Sequence, residues 1–194
     1  GYTTSNYYPY SQKTNIDGKE INYIRNSVKV LIDAYDGTTK FYITDRTDPI
    51  IMAYRKAYKN LFEDLDEQIP EDIMNHLVYP EYLYNIQANI LKRYHSIQPD
   101  VLYRTDDVWD ISTYSVSGSS NSSISPVQSY YTMVKTVDNN ENTLGLVIPY
   151  TVFGKQNITS YLVGTYENGS PNLKLYTFPD DSNVIGLIQL DTQI

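Results

Sequence analysis

The chain has 194 residues and a formal net charge of −8, with 23 acidic against 15 basic side chains and no cysteine. An acidic chain without Lys/Arg clusters is a poor partner for nucleic-acid phosphates, and one without thiols forms no disulfide, thiolate metal site or cysteine nucleophile. Tyrosine, with 21 copies against four phenylalanines, dominates the 41% apolar fraction, and no apolar run reaches the ~18 residues that mark a membrane-spanning helix.

Residues 1–19 show no periodicity and read as an extended arm. Their polar start has neither a charged n-region nor an apolar h-region, so it reads as the interior of a longer protein. Asp17-Gly18 is a turn signal before the first strand. The next stretch, 22–45, predicts a β-hairpin closed by a two-residue Asp36-Gly37 turn of type I′. That turn pairs Ala34 with Thr39, Ile32 with Phe41 and Val30 with Ile43. Because side chains alternate along a strand, Val30, Ile32, Phe41 and Ile43 become the core face. Lys29, Asp33, Tyr35, Lys40 and Tyr42 then point outward, with Asp33 opposite Lys40.

Asp48 caps a helix whose first residue is Pro49, and the spacing of Ile51, Tyr54, Ala57, Tyr58 and Leu61 makes one helical face ending near Asn60. An acidic linker, 63–67, follows. Pro70 and Pro80 open two further helices, the second carrying Leu83, Ile86, Ile90, Leu91 and Tyr94, with Lys92 and Arg93 at its end. Two single helical turns are expected at 99–103 and 105–110, with Trp109 packing back on the core. The Ser-rich stretch 112–126 reads as a flexible linker or loop. Beyond it the pattern becomes strands: 130–137, 144–152 broken by Pro149, 158–166 and 173–178, with turns at 138–142 and 167–171. Residues 184–190 form a last strand or short helix. The expected class is α+β: a hairpin with several short helices over 20–111, then a small antiparallel sheet over 127–194, with the two regions forming one domain or two.

The parts for most chemistries are missing from this order of residues. His76 and His95 lie on different expected helices outside any His-x-x-x-His spacing, so no zinc site is assigned. No Gly-x-Ser-x-Gly elbow, Ser-x-x-Lys pair or phosphate-cradling glycine loop occurs. Carboxylates do cluster: Asp33, Asp36, Asp45 and Asp48 around the hairpin, and Asp106, Asp107 and Asp110 around Trp109. A glycosidase needs two such groups ~5–10 Å apart, one with a raised pKa. Turn, cap and surface roles explain them as well, and the acidic linker lacks the spacing of a calcium loop. No catalytic residue, metal ligand or cofactor is therefore assigned. The tyrosines between 35 and 94 suit either a wet core or a contact surface; the candidate interaction surface is Asp33, Tyr35, Lys40 and Tyr42.

The run Asn22-Tyr23-Ile24-Arg25-Asn26-Ser27-Val28 and Asp33-Ala34-Tyr35-Asp36-Gly37 resembles a bacterial family, uncharacterised protein family 0182. The likeness continues through Asp48-Pro49-Ile50, Tyr79-Pro80-Glu81, Gln87-Ala88, Arg93-Tyr94-His95 and Asp107-Val108-Trp109, then Ile148-Pro149-Tyr150 and Leu175 to Pro179. The Ser-rich stretch departs from the pattern. The resemblance implies a large multi-pass membrane protein, of which this chain is one piece of a soluble region on the extracytoplasmic face of the bacterial cytoplasmic membrane. The missing cysteines fit that compartment, although an A/T-biased genome explains them equally.

Together these readings favour a non-enzymatic binding module whose partners are the remainder of its own longer chain, another envelope protein or cell-wall polymer. Two alternatives remain: a carboxylate-based hydrolase of envelope glycan, and a structural module that packs on the rest of the chain and carries an exposed apolar patch where that part docks.

Overall fold

The computed structural model describes residues 1–16, 18–65, 69–96, 98–104, 108–116, 123–135, 142–167, 169–179 and 181–191. Linker residues 66–67, the acidic turn at 105–107, the Ser-rich centre at 117–122 and most of the 138–142 turn lie outside them. The fold is α+β, with two compact units, residues 1–76 and 77–194.

In the first unit, two short stretches of the N-terminal segment, expected as an extended arm, are strand-paired. Strand β1 (Thr3–Ser5) pairs antiparallel with β4 (Tyr23–Arg25), and β2 (Thr14–Ile16) pairs with β3 (Lys19–Ile21) across a turn in which Gly18 takes φ +77°. Three-residue strands are too short for period-two alternation to show in a sequence. Their order comes from side chains instead: the Asn22 amide accepts from the Tyr8 N–H at 3.0 Å and donates to the Tyr8 carbonyl at 2.6 Å.

The hairpin is β5 (Val28–Ile32) and β6 (Thr39–Ile43), but its register differs by two from the expected one: Val28 faces Ile43, Val30 faces Phe41 and Ile32 faces Thr39. A type I′ turn needs positive φ at both central residues. Gly37 has φ +77°, whereas Asp36 is not among the positive-φ residues. The loop therefore takes four residues. Asp33 Oδ1 accepts from the Tyr35 N–H at 2.8 Å, the Gly37 N–H reaches the Asp33 carbonyl at 3.0 Å, and the Asp33 N–H closes onto Thr38. Lys40 consequently faces Leu31, not Asp33. A shift of two keeps the faces together but not their environments. Tyr42, expected outward, is buried, while Val30 and Ile32, expected in the core, are 41% and 63% exposed.

Helix α1 (Pro49–Ala57) starts as expected at the Asp48 cap with Pro49 in the first turn, and ends two to three residues early, with Tyr58 as its C-cap. Of its expected face only Ile51 is buried; Tyr54, Tyr58 and Leu61 are about half-exposed. The short α2 (Glu71–Met74) follows, with Pro70 as its N-cap.

The second unit is a sheet with a helix across it. Helix α3 (Glu81–Tyr94) follows Pro80, also an N-cap, and α4 (Pro99–Arg104) forms the expected single turn. Trp109 and Asp110, expected at the end of a helical turn, instead lie in strand β7 (Trp109–Ile111). The flanks of the Ser-rich stretch pair as β8 (Thr113–Val116) and β9 (Ser123–Pro126). Strands β10 (Tyr130–Lys135), β11 (Asn142–Val152), β12 (Ile158–Glu167) and β13 (Ser170–Thr177) form an antiparallel sheet in that order, and the chain closes with α5 (Leu187–Asp191).

Strand β11 runs unbroken through Pro149, contrary to expectation. Its ladder with β10 covers 142–147 and its ladder with β7 covers 150–152, so the missing N–H falls in the gap between neighbours. The Pro149 carbonyl on that side accepts from the Ser112 N–H at 2.9 Å. Trp109 packs into the core as expected, its strand being drawn in by this ladder.

The core of this unit joins Tyr84 and Ala88 of α3 to Trp109, Leu146, Ile148, Tyr150 and Leu162. Tyr84 and Tyr150 are fully buried, and each phenol has found an acceptor: Tyr84 Oη donates to the Leu162 carbonyl at 2.7 Å, and Tyr150 Oη to the Ala88 carbonyl at 2.8 Å. Burial raises both phenol pKa values above the ordinary tyrosine value, so both stay protonated donors that tie helix to sheet. Tyr84 and Tyr150 are thus core residues that carry their own hydrogen bonds, while most of the other tyrosines are exposed or half-buried.

Candidate functional site: an apolar face on the hairpin and α1

The first unit is organised by one buried carboxylate. Asp48 accepts from Thr3 Oγ1 and Ser27 Oγ, both at 2.5 Å, from Tyr23 Oη at 2.8 Å and from the Ile50 N–H at 3.0 Å. These donors come from β1, the turn before β5, β4 and the first turn of α1. Burial alone would push the carboxyl pKa up, but the bonds from Ser27, Thr3, Tyr23 and Ile50 outweigh it and hold it below the usual value. Asp45 behaves alike: burial raises it, while Thr47 and Arg25, the latter at 2.9 Å, bring it lower. A carboxyl held down by donors on every side is a structural anion and a poor general acid.

The Asp48 knot sets the angle of α1 against the hairpin, and between them lies a concavity of about 310 Å³. Val30 and Phe41 form one wall, Ile50 and Tyr54 the other, with Tyr2 and Leu61 among its remaining lining. Phe41 is braced edge-to-face by Phe62, with ring centres 6.3 Å apart. The apolar surface continues over the outer side of α1, where Pro49, Ile50, Ala53, Tyr54 and Ala57 line a shallower hollow of about 440 Å³. Tyr54 and Tyr58 stack there at 6.2 Å. The face has aromatic walls, small residues at its centre and no carboxylate in its lining.

The four residues proposed from sequence do not share this face. Asp33 is exposed and spends its carboxylate on the loop; Tyr35 is fully exposed at the hairpin tip; Lys40 is half-buried beside Leu31; and Tyr42 is 5% exposed, inside the unit. Sequence reasoning missed Ile50 and Ala53. Their signal was present, since Ile50, Ala53, Tyr54 and Ala57 follow 3,1,3 spacing, a second apolar row beside the one through Ile51.

Of the expected carboxylate clusters, Asp45 and Asp48 stay near each other and both act on Tyr23 and Arg25, whereas Asp106 and Asp107 lie outside the described residues. Asp110 pairs with Lys92 at 2.8 Å, and among the described residues no group of three or more His, Cys, Asp and Glu side chains could hold a metal ion. His95 lies flat on Trp109, ring centres 3.8 Å apart, with Nδ1 3.2 Å from the Leu91 carbonyl. His76 and His95 fall in different units.

The chain is thus α+β with two units, and its first unit carries an apolar aromatic face beside a hydrogen-bonded buried carboxylate. The family model described as "Uncharacterised protein family (UPF0182)" matches residues 1–194, and the chain belongs to that family. It is 42% identical over 195 residues to a UPF0182 protein of Caldicellulosiruptor saccharolyticus, 39% over 195 to one of Microcystis aeruginosa and 35% over 194 to one of Trichodesmium erythraeum. In each case the whole chain is covered, yet it spans only 21%, 19% and 18% of those relatives. No solved structure matches it significantly.

Proposed function

We propose that this chain is a non-enzymatic interaction module on the extracytoplasmic side of a multi-pass membrane protein, and that the hairpin–α1 face is its docking surface for the remainder of that longer polypeptide. One observation carries the reading. The residues whose alternation marks them as a core, Val30, Ile32 and Phe41, are joined by a second apolar row of α1, and much of this surface is open to solvent. Contiguous exposed apolar surface of this kind marks docking sites. The relatives, about five times as long, supply the material to cover it. The saturated, acid-shifted carboxylates Asp45 and Asp48 weigh against the rival hydrolase. No helix among the described residues is long and apolar enough to cross a membrane, so on this reading the spans lie elsewhere in the polypeptide.

Two measurements on the full-length protein test this. A cysteine placed at Tyr35, fully exposed at the hairpin tip, should react with a membrane-impermeant maleimide in intact spheroplasts. Reaction only after lysis refutes the location. Leu61→Asp, at a half-exposed site, should change the stability of the 194-residue chain by no more than about 0.5 kcal/mol, while clearly lowering the melting temperature of the full-length protein. An unchanged full-length melting temperature refutes the docking role.

A further inference from the structure

The second unit carries an independent surface, created by a mismatch in width. A helix with its side chains is about 10 Å across and strands lie about 4.8 Å apart, so one helix covers about two strands. Helix α3 sits over the middle of the sheet: Tyr84 bonds to β12 and Tyr150 of β11 bonds back to Ala88. Leu173 and Leu175 of β13 pair with Gly164 and Leu162, which places them on the α3 side of the sheet, one strand further out than β12. They are 36% and 37% exposed.

The flank of α3 above them is also apolar. Beside the row that faces the sheet runs a second, with Ile90 and Tyr94 one turn apart and about half-exposed. Ile90, Leu91 and Tyr94 form the wall, and Leu162, Leu173 and Leu175 the floor, of a trough of about 380 Å³. A wall at helical spacing over a flat floor is the seat of a second helix, packed beside the first at an axis separation of about 8–10 Å. A strand suits it less well. It would have to pair along the edge of β13, where Pro171 offers no N–H, and its backbone would then lie in the plane of the sheet instead of over its face.

We propose that this trough is filled by an amphipathic helix from the part of the longer polypeptide outside these 194 residues, with apolar residues at i, i+3 or i+4, and i+7. About four-fifths of the length of the relatives lies outside the matched segment. A helix tethered in the same chain acts at an effective concentration of about millimolar or more, so a modest apolar contact is enough to seat it. This contact depends neither on the hairpin–α1 face nor on the side of the membrane.

The test is photo-cross-linking in the full-length protein, with p-benzoylphenylalanine replacing Tyr94, or Leu175 in a second variant, and Tyr35 as the exposed reference. The Tyr94 variant exchanges one half-exposed aromatic for another, and hydrogen exchange over 146–150 verifies that the sheet is kept. The expected result is an intramolecular cross-link, about tenfold above the Tyr35 reference, to a peptide outside the 194 residues with helical apolar spacing. Cross-linking to a second copy, another protein or lipid, to a peptide of alternating strand pattern, or at no more than the reference yield overturns the proposal.

Discussion

Replacing Asp48 by alanine should loosen the first unit as a whole, because four segments meet at that carboxylate. Two of its donors, the hydroxyls of Thr3 and Ser27, are buried at 6% and 0% exposure and have no water to turn to. Stranding each costs about 1–1.5 kcal/mol. Losing the α1 cap adds about 1 kcal/mol. Tyr23 is half-exposed and re-solvates, so it contributes little. The sum is about 3–4 kcal/mol, equivalent to about a 10²–10³-fold rise in local opening. Asp48→Asn keeps one acceptor oxygen and the cap, and should cost about 1–2 kcal/mol. Hydrogen exchange read by mass spectrometry resolves the consequence by segment: amides of 3–5, 23–25, 28–32 and 50–57 should exchange faster, with alanine worse than asparagine. Protection over those segments within twofold of the parent in Asp48→Ala would show that the knot is not what holds β1, β4 and α1 together.

The same carboxylates set a pH dependence. Asp45 and Asp48 are both lowered in the folded state, so their stabilisation is complete above the unfolded value of about 4 and is lost as pH falls through the folded values below it. Protection of the first unit, corrected for intrinsic exchange, should therefore drop below about pH 4, and less steeply in Asp48→Asn. Tyr150→Phe removes the phenol donor to Ala88 and should cost about 1 kcal/mol; Trp109, the only tryptophan, reports it as a lower denaturation midpoint with unchanged slope. Gly164→Ala should cost about 1–3 kcal/mol by the same readout, since a Cβ there meets the rings of Tyr79 and Tyr84 at 2.9 Å.

How much of the fold was legible in the sequence depends on the range of each signal. The α1 cap, the proline-led α3 and the strands β10 to β13 declare themselves within a few residues, through Asp48-Pro49, Pro80-Glu81 and alternation between turn residues. The hairpin existed where expected because its apolar alternation is local. Its register was misread because the loop is decided by whether Asp36 takes positive φ, and Asp33 offered a competing turn through its own side chain. Trp109 and Asp110 looked helical because nothing in that stretch announces its partner: the β7 ladder depends on Tyr150–Val152, some 40 residues on.

The candidate surfaces obey another logic. Periodicity records which residues are apolar and on which side of an element they fall; it does not record whether the cover comes from the same segment. Val30 and Ile32 were rightly grouped on one face with Phe41, and that face is partly open. The expected stripe of α3 was Leu83, Ile86, Ile90, Leu91 and Tyr94, but the residues it buries against the sheet are Tyr84 and Ala88, with Leu91 packed beside them, and Ile90 and Tyr94 are about half-exposed. In both units a second apolar row lies beside the one that builds the local core: Ile50, Ala53, Tyr54 and Ala57 on α1, and Ile90 and Tyr94 on α3. Apolar solvent-facing rows occur twice in one chain, and the matched relatives are about five times longer; on the reading proposed above, the rest of such a longer polypeptide would cover both. The residues that look like misread core positions are therefore the ones to substitute first in the full-length protein.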